Sequence, residues 1–162
     1  MKRVLIISDT HGDNTFFQVV LKKVGQPDFF VHCGDIEGTE YYYENIMPCE
    51  KIMVMGNNDF LSGLKPVETA TINGLKILAV HGHRHHVNWT TEDLVELGRE
   101  NGAKVVFFGH SHKPKMEYDE ETGIWVVNPG SLTYPRQEGN HPSFALMEVE
   151  EDGTPHFTIN YL

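Results

Sequence analysis

The chain has 162 residues, 40% of them hydrophobic and 22% charged, a composition that excludes a disordered segment and suffices to bury a core without disulfide staples. Thirteen Lys and Arg against 23 Asp and Glu leave a net charge of −10, which argues against gripping a nucleic-acid duplex through its phosphates, and no apolar run has the length of a membrane span. The apolar stretch within Met1–Asp9 is too short for a signal peptide, and Cys33 and Cys49 form neither a disulfide framework nor a metal-binding pair, so a cytoplasmic protein of one domain over residues 1–162 is expected.

Short apolar runs recur along the chain. Val4–Ile7, Phe29–Val31, Ile52–Met55, Ile77–Val80, Val105–Phe108 and Ile124–Val127 are continuous rather than alternating, the pattern of strands covered on both faces. Thr15–Val24 carries helix-spaced apolar residues and stops at Gly25 and Pro27. Thr39–Ile46 is a weaker helix, and Thr91–Asn101 opens on Thr and acidic residues and closes at Gly102. Asn73-Gly74 between Glu68–Ile72 and Leu75–Val80 signals a two-residue hairpin. Glu121-Thr122-Gly123 and Asp152-Gly153 mark two further turns between strand-like segments. Helices early, hairpins late and short loops predict an α/β (α+β) domain of two β-sheets packed face to face with helices outside.

The chemistry lies in the residues directly after each run. In chain order these are Ser8-Asp9-Thr10-His11-Gly12, His32-Cys33-Gly34-Asp35, Gly56-Asn57-Asn58-Asp59, His81-Gly82-His83 and Gly109-His110-Ser111-His112. Ligands of α/β sheets bind at the carboxyl ends of the strands, so these clusters are expected to converge there. Singly, each is weak, since an Asp after a strand is an ordinary turn or cap residue. The paired His81/His83 and His110/His112 are stronger, because residues two apart on an extended segment project to the same side.

Asp9-x-His11, Gly34-Asp35, Gly56-Asn57-x-Asp59, His81-Gly82-His83 and Gly109-His110-x-His112 stand in the order found in calcineurin-like metallophosphoesterases. The chain resembles above all their small bacterial and archaeal branch, the YfcE-like phosphodiesterases, from Met1 past Asn128-Pro129-Gly130-Ser131. The resemblance implies a four-layer α-β-β-α sandwich of two mixed β-sheets flanked by helices. It also implies two divalent metal ions, one held by Asp9, His11, Asp35 and His112. The other would be held by Asp35, Asn57, His81 and His110, with the Asp35 carboxylate bridging.

Such a site suits phosphoester hydrolysis, because paired cations activate water at neutral pH and neutralise phosphate oxygens. Two divalent ions against two carboxylates leave the site net positive, which attracts an anionic substrate. A donor set rich in imidazole and lacking thiolate suits borderline ions, with Mn foremost and Fe, Zn, Ni and Co as alternatives. The expected reaction is in-line attack by a metal-bridging hydroxide on a small phosphoester, without a covalent intermediate. Asn57 would bind a metal through its carbonyl oxygen and help orient the phosphate. The alternatives are a phosphomonoesterase or nucleotide pyrophosphatase and, in another class, a non-catalytic scaffold like the retromer subunit of this family. A full set of ligating side chains argues against the scaffold.

One position departs from the family. Many members carry His directly after the metal-binding Asn, where this chain has Asn58, and an amide cannot act as a general acid. His83 is then either a substitute acid or a residue that supports its neighbours or touches the substrate. Arg84 in Arg84-His85-His86 lies in a solvated loop, with a phosphate contact as the other reading. His32 is expected to be buried, His141 and His156 exposed, and the Glu148–Asp152 run a solvated turn. Asn128–Ser131 is expected to shape the loop beneath Gly109–His112. Tyr41-Tyr42-Tyr43 and Trp89 are either core residues or the interface of a dimer or tetramer.

Overall fold

The structure, a computed structural model, describes every residue from Met1 to Leu162. In chain order the elements are β1 (Lys2–Ile7), α1 (Thr15–Val24), β2 (Phe29–His32), α2 (Glu40–Ile46), β3 (Glu50–Met53), β4 (Val67–Ile72) and β5 (Leu75–Val80). They continue with α3 (Glu92–Glu100), β6 (Val105–Phe107), β7 (Lys115–Asp119), β8 (Ile124–Asn128), β9 (Ser143–Val149) and β10 (Pro155–Tyr161). Two five-stranded mixed sheets result, ordered β10-β9-β1-β2-β3 and β4-β5-β6-β8-β7. In the first, β1, β2 and β3 are parallel; in the second, β5, β6 and β8 are. No helix is long and apolar enough to cross a membrane.

The continuous apolar runs are explained by burial on both faces. Val4 and Ile6 of β1, with Ile77 and Ala79 of β5, enter the core between the sheets. Their neighbours Leu5 and Ile7 face outward onto Phe17 and Val20 of α1 and Tyr43 of α2. Leu78 and Val80 pack with Leu94 of α3. The layers are therefore helix, sheet, sheet, helix, as expected from the sequence.

Three local expectations need correction. The third strand spans Glu50–Met53 rather than Ile52–Met55; Val54 continues the pairing through its N–H to His32 O at 3.1 Å, and the chain then turns into the Gly56 loop. Thr91 does not cap α3 with its side chain: its hydroxyl donates to Glu117 at 2.9 Å, while Thr90 Oγ1 accepts from the Glu92 N–H. The acidic run beginning at Glu148 is strand until Val149, which is buried, and turns only from Glu150. The glycine stop of α3 holds, since Gly102 takes φ +67° and Ala103 N–H closes onto Gly98 O at 2.9 Å.

Candidate metal centre

All the parallel strands point their carboxyl ends to one edge of the sandwich, and the polar clusters meet there. Asp9 and His11 follow β1, Asp35 follows β2, Asn57 follows β3, His81 follows β5, and His110 and His112 follow β6. Five of these seven residues, Asp9, His11, Asp35, His110 and His112, adopt positive φ between 48° and 67°, a conformation that costs an L-residue about 1–2 kcal/mol. Such strain collects at functional sites, where the surrounding structure imposes it.

The imposing contacts are specific. Asp9 N–H donates to Gly34 O at 3.0 Å and His11 N–H to Asp35 O at 2.9 Å, tying the first loop to the second. The Asp59 carboxylate accepts from the N–H groups of Ile36, Glu37 and Gly56 at 2.8–3.2 Å, tying the second loop to the third. Asn128 Nδ2 donates to Gly109 O and Ser111 Oγ, and Ser131 Oγ donates to Asp9 O at 2.8 Å. The Asn128–Ser131 segment thus supports the loop of His110 and His112, as expected. Two glycines are required by close approach: a Cβ on Gly56 would lie 2.1 Å from Asp35 Oδ1, and one on Gly109 would lie 2.0 Å from Ser8 Oγ.

At the centre, Asp9 uses its Oδ2 to accept from the Ser8 hydroxyl at 2.5 Å and the His110 N–H at 3.0 Å. Its Oδ1 is buried with no aligned donor. Around that oxygen stand His112 Nε2 at 3.2 Å, His81 Nε2 at 3.8 Å and His11 Nε2 at 3.9 Å. Asp35 Oδ2 lies 3.4 Å from His81 Nε2 and 3.9 Å from His11 Nε2. Asn57 Oδ1 sits 3.0 Å from His81 Nε2 and 3.2 Å from His110 Nδ1. The seven residues named from the sequence are brought into one cluster.

The orientation of the rings fits cation binding. His81 Nδ1 donates to Cys33 O at 2.7 Å and His112 Nδ1 to Tyr134 O at 2.7 Å, so the Nε2 atom of each faces the centre. His11 and His112 bring their Nε2 atoms to 3.3 Å of each other. Two sets of potential ligand atoms emerge, Asp9/His11/His112 and Asp9/Asp35/His81. Asp9 is common to both, and Asp35 Oδ2 reaches His11 as well as His81, so both carboxylates span the two halves of the cluster. A buried carboxylate oxygen without a donor among several imidazole nitrogens is the chemistry of a cation site, and borderline divalent ions fit this donor set.

Electrostatics shows what the cluster does without cations. Burial disfavours a proton on His81, but Asp35 and Asp9 outweigh it and lift its pKa to about 9. Burial likewise opposes the charge of Asp9 and Asp35. His112, His81 and Ser8 nevertheless hold Asp9 below the usual carboxylate range, and His81 with Asn58 does the same for Asp35. His32, fully buried, is pushed down to about 3 by desolvation. It stays neutral, bonded to Thr10 Oγ1 at 2.9 Å and accepting from the Gly34 N–H at 3.1 Å.

The remaining candidates are placed unevenly. Asn58 is exposed, and its carboxamide donates to Asp35 Oδ2 at 3.0 Å. The His83 ring lies 5.5 Å from that of His81 and 6.2 Å from that of His110, with its Nδ1 buried and unpartnered. Arg84, His141 and His156 are exposed. Cys33 is buried, and desolvation drives its thiol pKa well up. Tyr43 belongs to the core, whereas Tyr41 and Trp89 are exposed. Asp59 belongs to a motif but has no role legible in the sequence, because only the folded chain shows which amides face it.

A model of the calcineurin-like phosphoesterase superfamily domain matches residues 1–152. The probable metallophosphoesterase YsnB of Bacillus subtilis is 36% identical over 150 residues, covering 92% of this chain and 85% of the relative. A predicted phosphoesterase of Streptococcus pneumoniae TIGR4 superposes with TM-score 0.81 at 27% identity, covering 99% of this chain and 88% of the other. A single-mutant Vps29 of Entamoeba histolytica does so with TM-score 0.78 at 26% identity, covering 99% of each. Motif order, layered fold and carboxylate–imidazole cluster thus coincide with these similarities, and the chain belongs to the calcineurin-like phosphoesterase superfamily.

Proposed function

We propose that this phosphoesterase is a phosphodiesterase of small substrates, working in the cytoplasm with two divalent transition-metal ions, manganese foremost. Asp9, His11, Asp35 and His112 would hold one ion and Asp35, Asn57, His81 and His110 the other. When bound, such a pair supplies water activated at neutral pH and positive charge for the phosphate oxygens. The observation that carries the reading is the buried Asp9 Oδ1, without a donor of its own and ringed by His112, His81 and His11.

The chain's own residues favour esters with good leaving groups. Asn57 and Asn58 are exposed at the mouth of the cluster, and neither amide protonates a leaving group. His83 is held below its ordinary pKa by burial and by the neighbouring His81 and Arg84 charges. Alkoxide leaving groups are then expelled slowly from diester and monoester alike, while better leaving groups need no such acid. The complete set of ligating side chains weighs against a purely scaffolding role. Hydrolysis of an aryl phosphodiester and an aryl phosphomonoester, with Mn²⁺ and then with chelator, tests the reading. Diester turnover that chelator abolishes is expected; turnover indifferent to chelator contradicts it.

A further inference from the structure

Outside the metal cluster, one cavity differs from the rest of the molecule in its charge. It measures about 550 Å³ and is lined by Trp89, Ser111, Lys113, Lys115 and Arg136 among others, with three cations and no carboxylate, in a chain where acidic residues outnumber basic ones 23 to 13. Lys115 is engaged by Glu117 Oε1 at 3.2 Å, but Lys113 and Arg136 enter none of the ion pairs of the molecule. The cavity adjoins the loop of the metal centre: Ser111 stands between His110 and His112, and Arg136 N–H donates to His112 O at 3.1 Å.

Trp89 is 87% exposed, the second most exposed of the large hydrophobic side chains. The other tryptophan, Trp125, packs against Tyr118 and Phe157 with ring centroids 4.9 and 5.1 Å away. Trp89 is anchored only through its backbone, its N–H donating to His86 O at 3.0 Å. An uncovered indole beside two uncommitted cations suits a ligand that is both flat and anionic. A guanidinium matches a phosphate through parallel hydrogen bonds, and a nucleobase stacks on an indole whatever its sequence. A simple sugar phosphate would leave the indole bare, and a long polyanion meets the repulsion of an acidic protein.

We propose that this cavity is a substrate subsite for a nucleotide, with Lys113 and Arg136 binding a phosphate remote from the scissile one and the base lying on Trp89. The inference rests on the phosphodiesterase reading and names its substrate class.

Two measurements on the Mn²⁺-loaded protein test it. In a Trp125→Phe background, where Trp89 is the sole tryptophan, ADP should quench emission saturably and inorganic phosphate should not. Adding Lys113→Ala and Arg136→Ala should weaken that binding by about tenfold. In the wild-type background, Trp89→Ala should raise KM for a p-nitrophenyl ester of thymidine bisphosphate by about tenfold relative to bis(p-nitrophenyl) phosphate. No quenching by ADP, or equal changes of KM for both substrates, would overturn the subsite while leaving the phosphodiesterase reading intact. Quenching by ADP in a chain that hydrolyses no phosphodiester would uphold the subsite as a nucleotide site and overturn the catalytic reading.

Discussion

Asn58 holds both oxygens of Asp35: its backbone N–H donates to Oδ1 and its carboxamide to Oδ2, each at 3.0 Å. Asn58, an amide that cannot serve as a general acid, is therefore a brace for a candidate metal ligand. Asn58→Ala keeps the backbone bond and loses the other. It should weaken Mn²⁺ binding by about tenfold in calorimetric titration, the usual effect of removing a group that orients a ligand. Unchanged affinity would contradict the brace. Asn58→His, which introduces an acid, should raise turnover of alkyl esters relative to aryl esters.

Asp59 is buried and accepts three backbone N–H groups from two loops. Asp59→Ala leaves those donors without a partner and should cost about 3 kcal/mol in urea unfolding, given about 1–3 kcal/mol for each stranded buried group and partial relaxation. A loss below about 1 kcal/mol would show that the loops hold their shape without it.

His32 gives the fold an acid sensitivity of its own. Its folded pKa is about 3 against an ordinary 6.5, so the unfolded chain takes up the proton first. Stability from the neutral ring is intact above pH 6.5 and is lost as pH falls from there toward 3, at up to about 1.4 kcal/mol per pH unit. Urea midpoints of wild type and His32→Gln at pH 7 and pH 5 should show the smaller acid loss in the variant. Equal losses would rule out His32 as the source.

His81 works in the opposite direction. Its folded pKa is raised to about 9, so its charged pairing with Asp35 and Asp9 stabilises the cation-free protein fully below pH 6.5 and is lost as pH rises through 9. A metal ion must displace that proton. Apparent Mn²⁺ affinity should therefore climb with pH between 6.5 and 9, by up to about tenfold per unit, with proton release in calorimetry across buffers of different ionisation enthalpy. A flat profile without proton release would contradict a charged His81 in the cation-free site.

Much of this was legible before folding, for a physical reason. Strands buried on both faces are continuous apolar runs, so β1, β2, β5, β6 and β8 announce themselves, and six of the seven ligand candidates follow the ends of β1, β2, β5 and β6 within five residues. Strand β7, Lys115–Asp119, carries no such signal, because it is an exposed edge whose side chains face solvent. The helix α1 matched its spacing from Thr15 to Val24, where periodicity and a glycine stop agree. Thr91 looked like a cap because cap preference is local, whereas its hydroxyl is claimed by Glu117, 26 residues away. The same distance in sequence hides the work of Asp59, whose partners are backbone amides that any residue could supply. The positive φ values of Asp9, His11, Asp35, His110 and His112 are likewise consequences of tertiary contacts.

The central claim is that Asp9, His11, Asp35, Asn57, His81, His110 and His112 cage two neighbouring cations. Anomalous diffraction from crystals of the Mn²⁺-loaded protein measures this directly. Two peaks about 3.5–4 Å apart, with an Asp35 oxygen between them and Asp9 Oδ1 on an ion, are the predicted result. A single peak, or ions bound away from these side chains, would contradict the account.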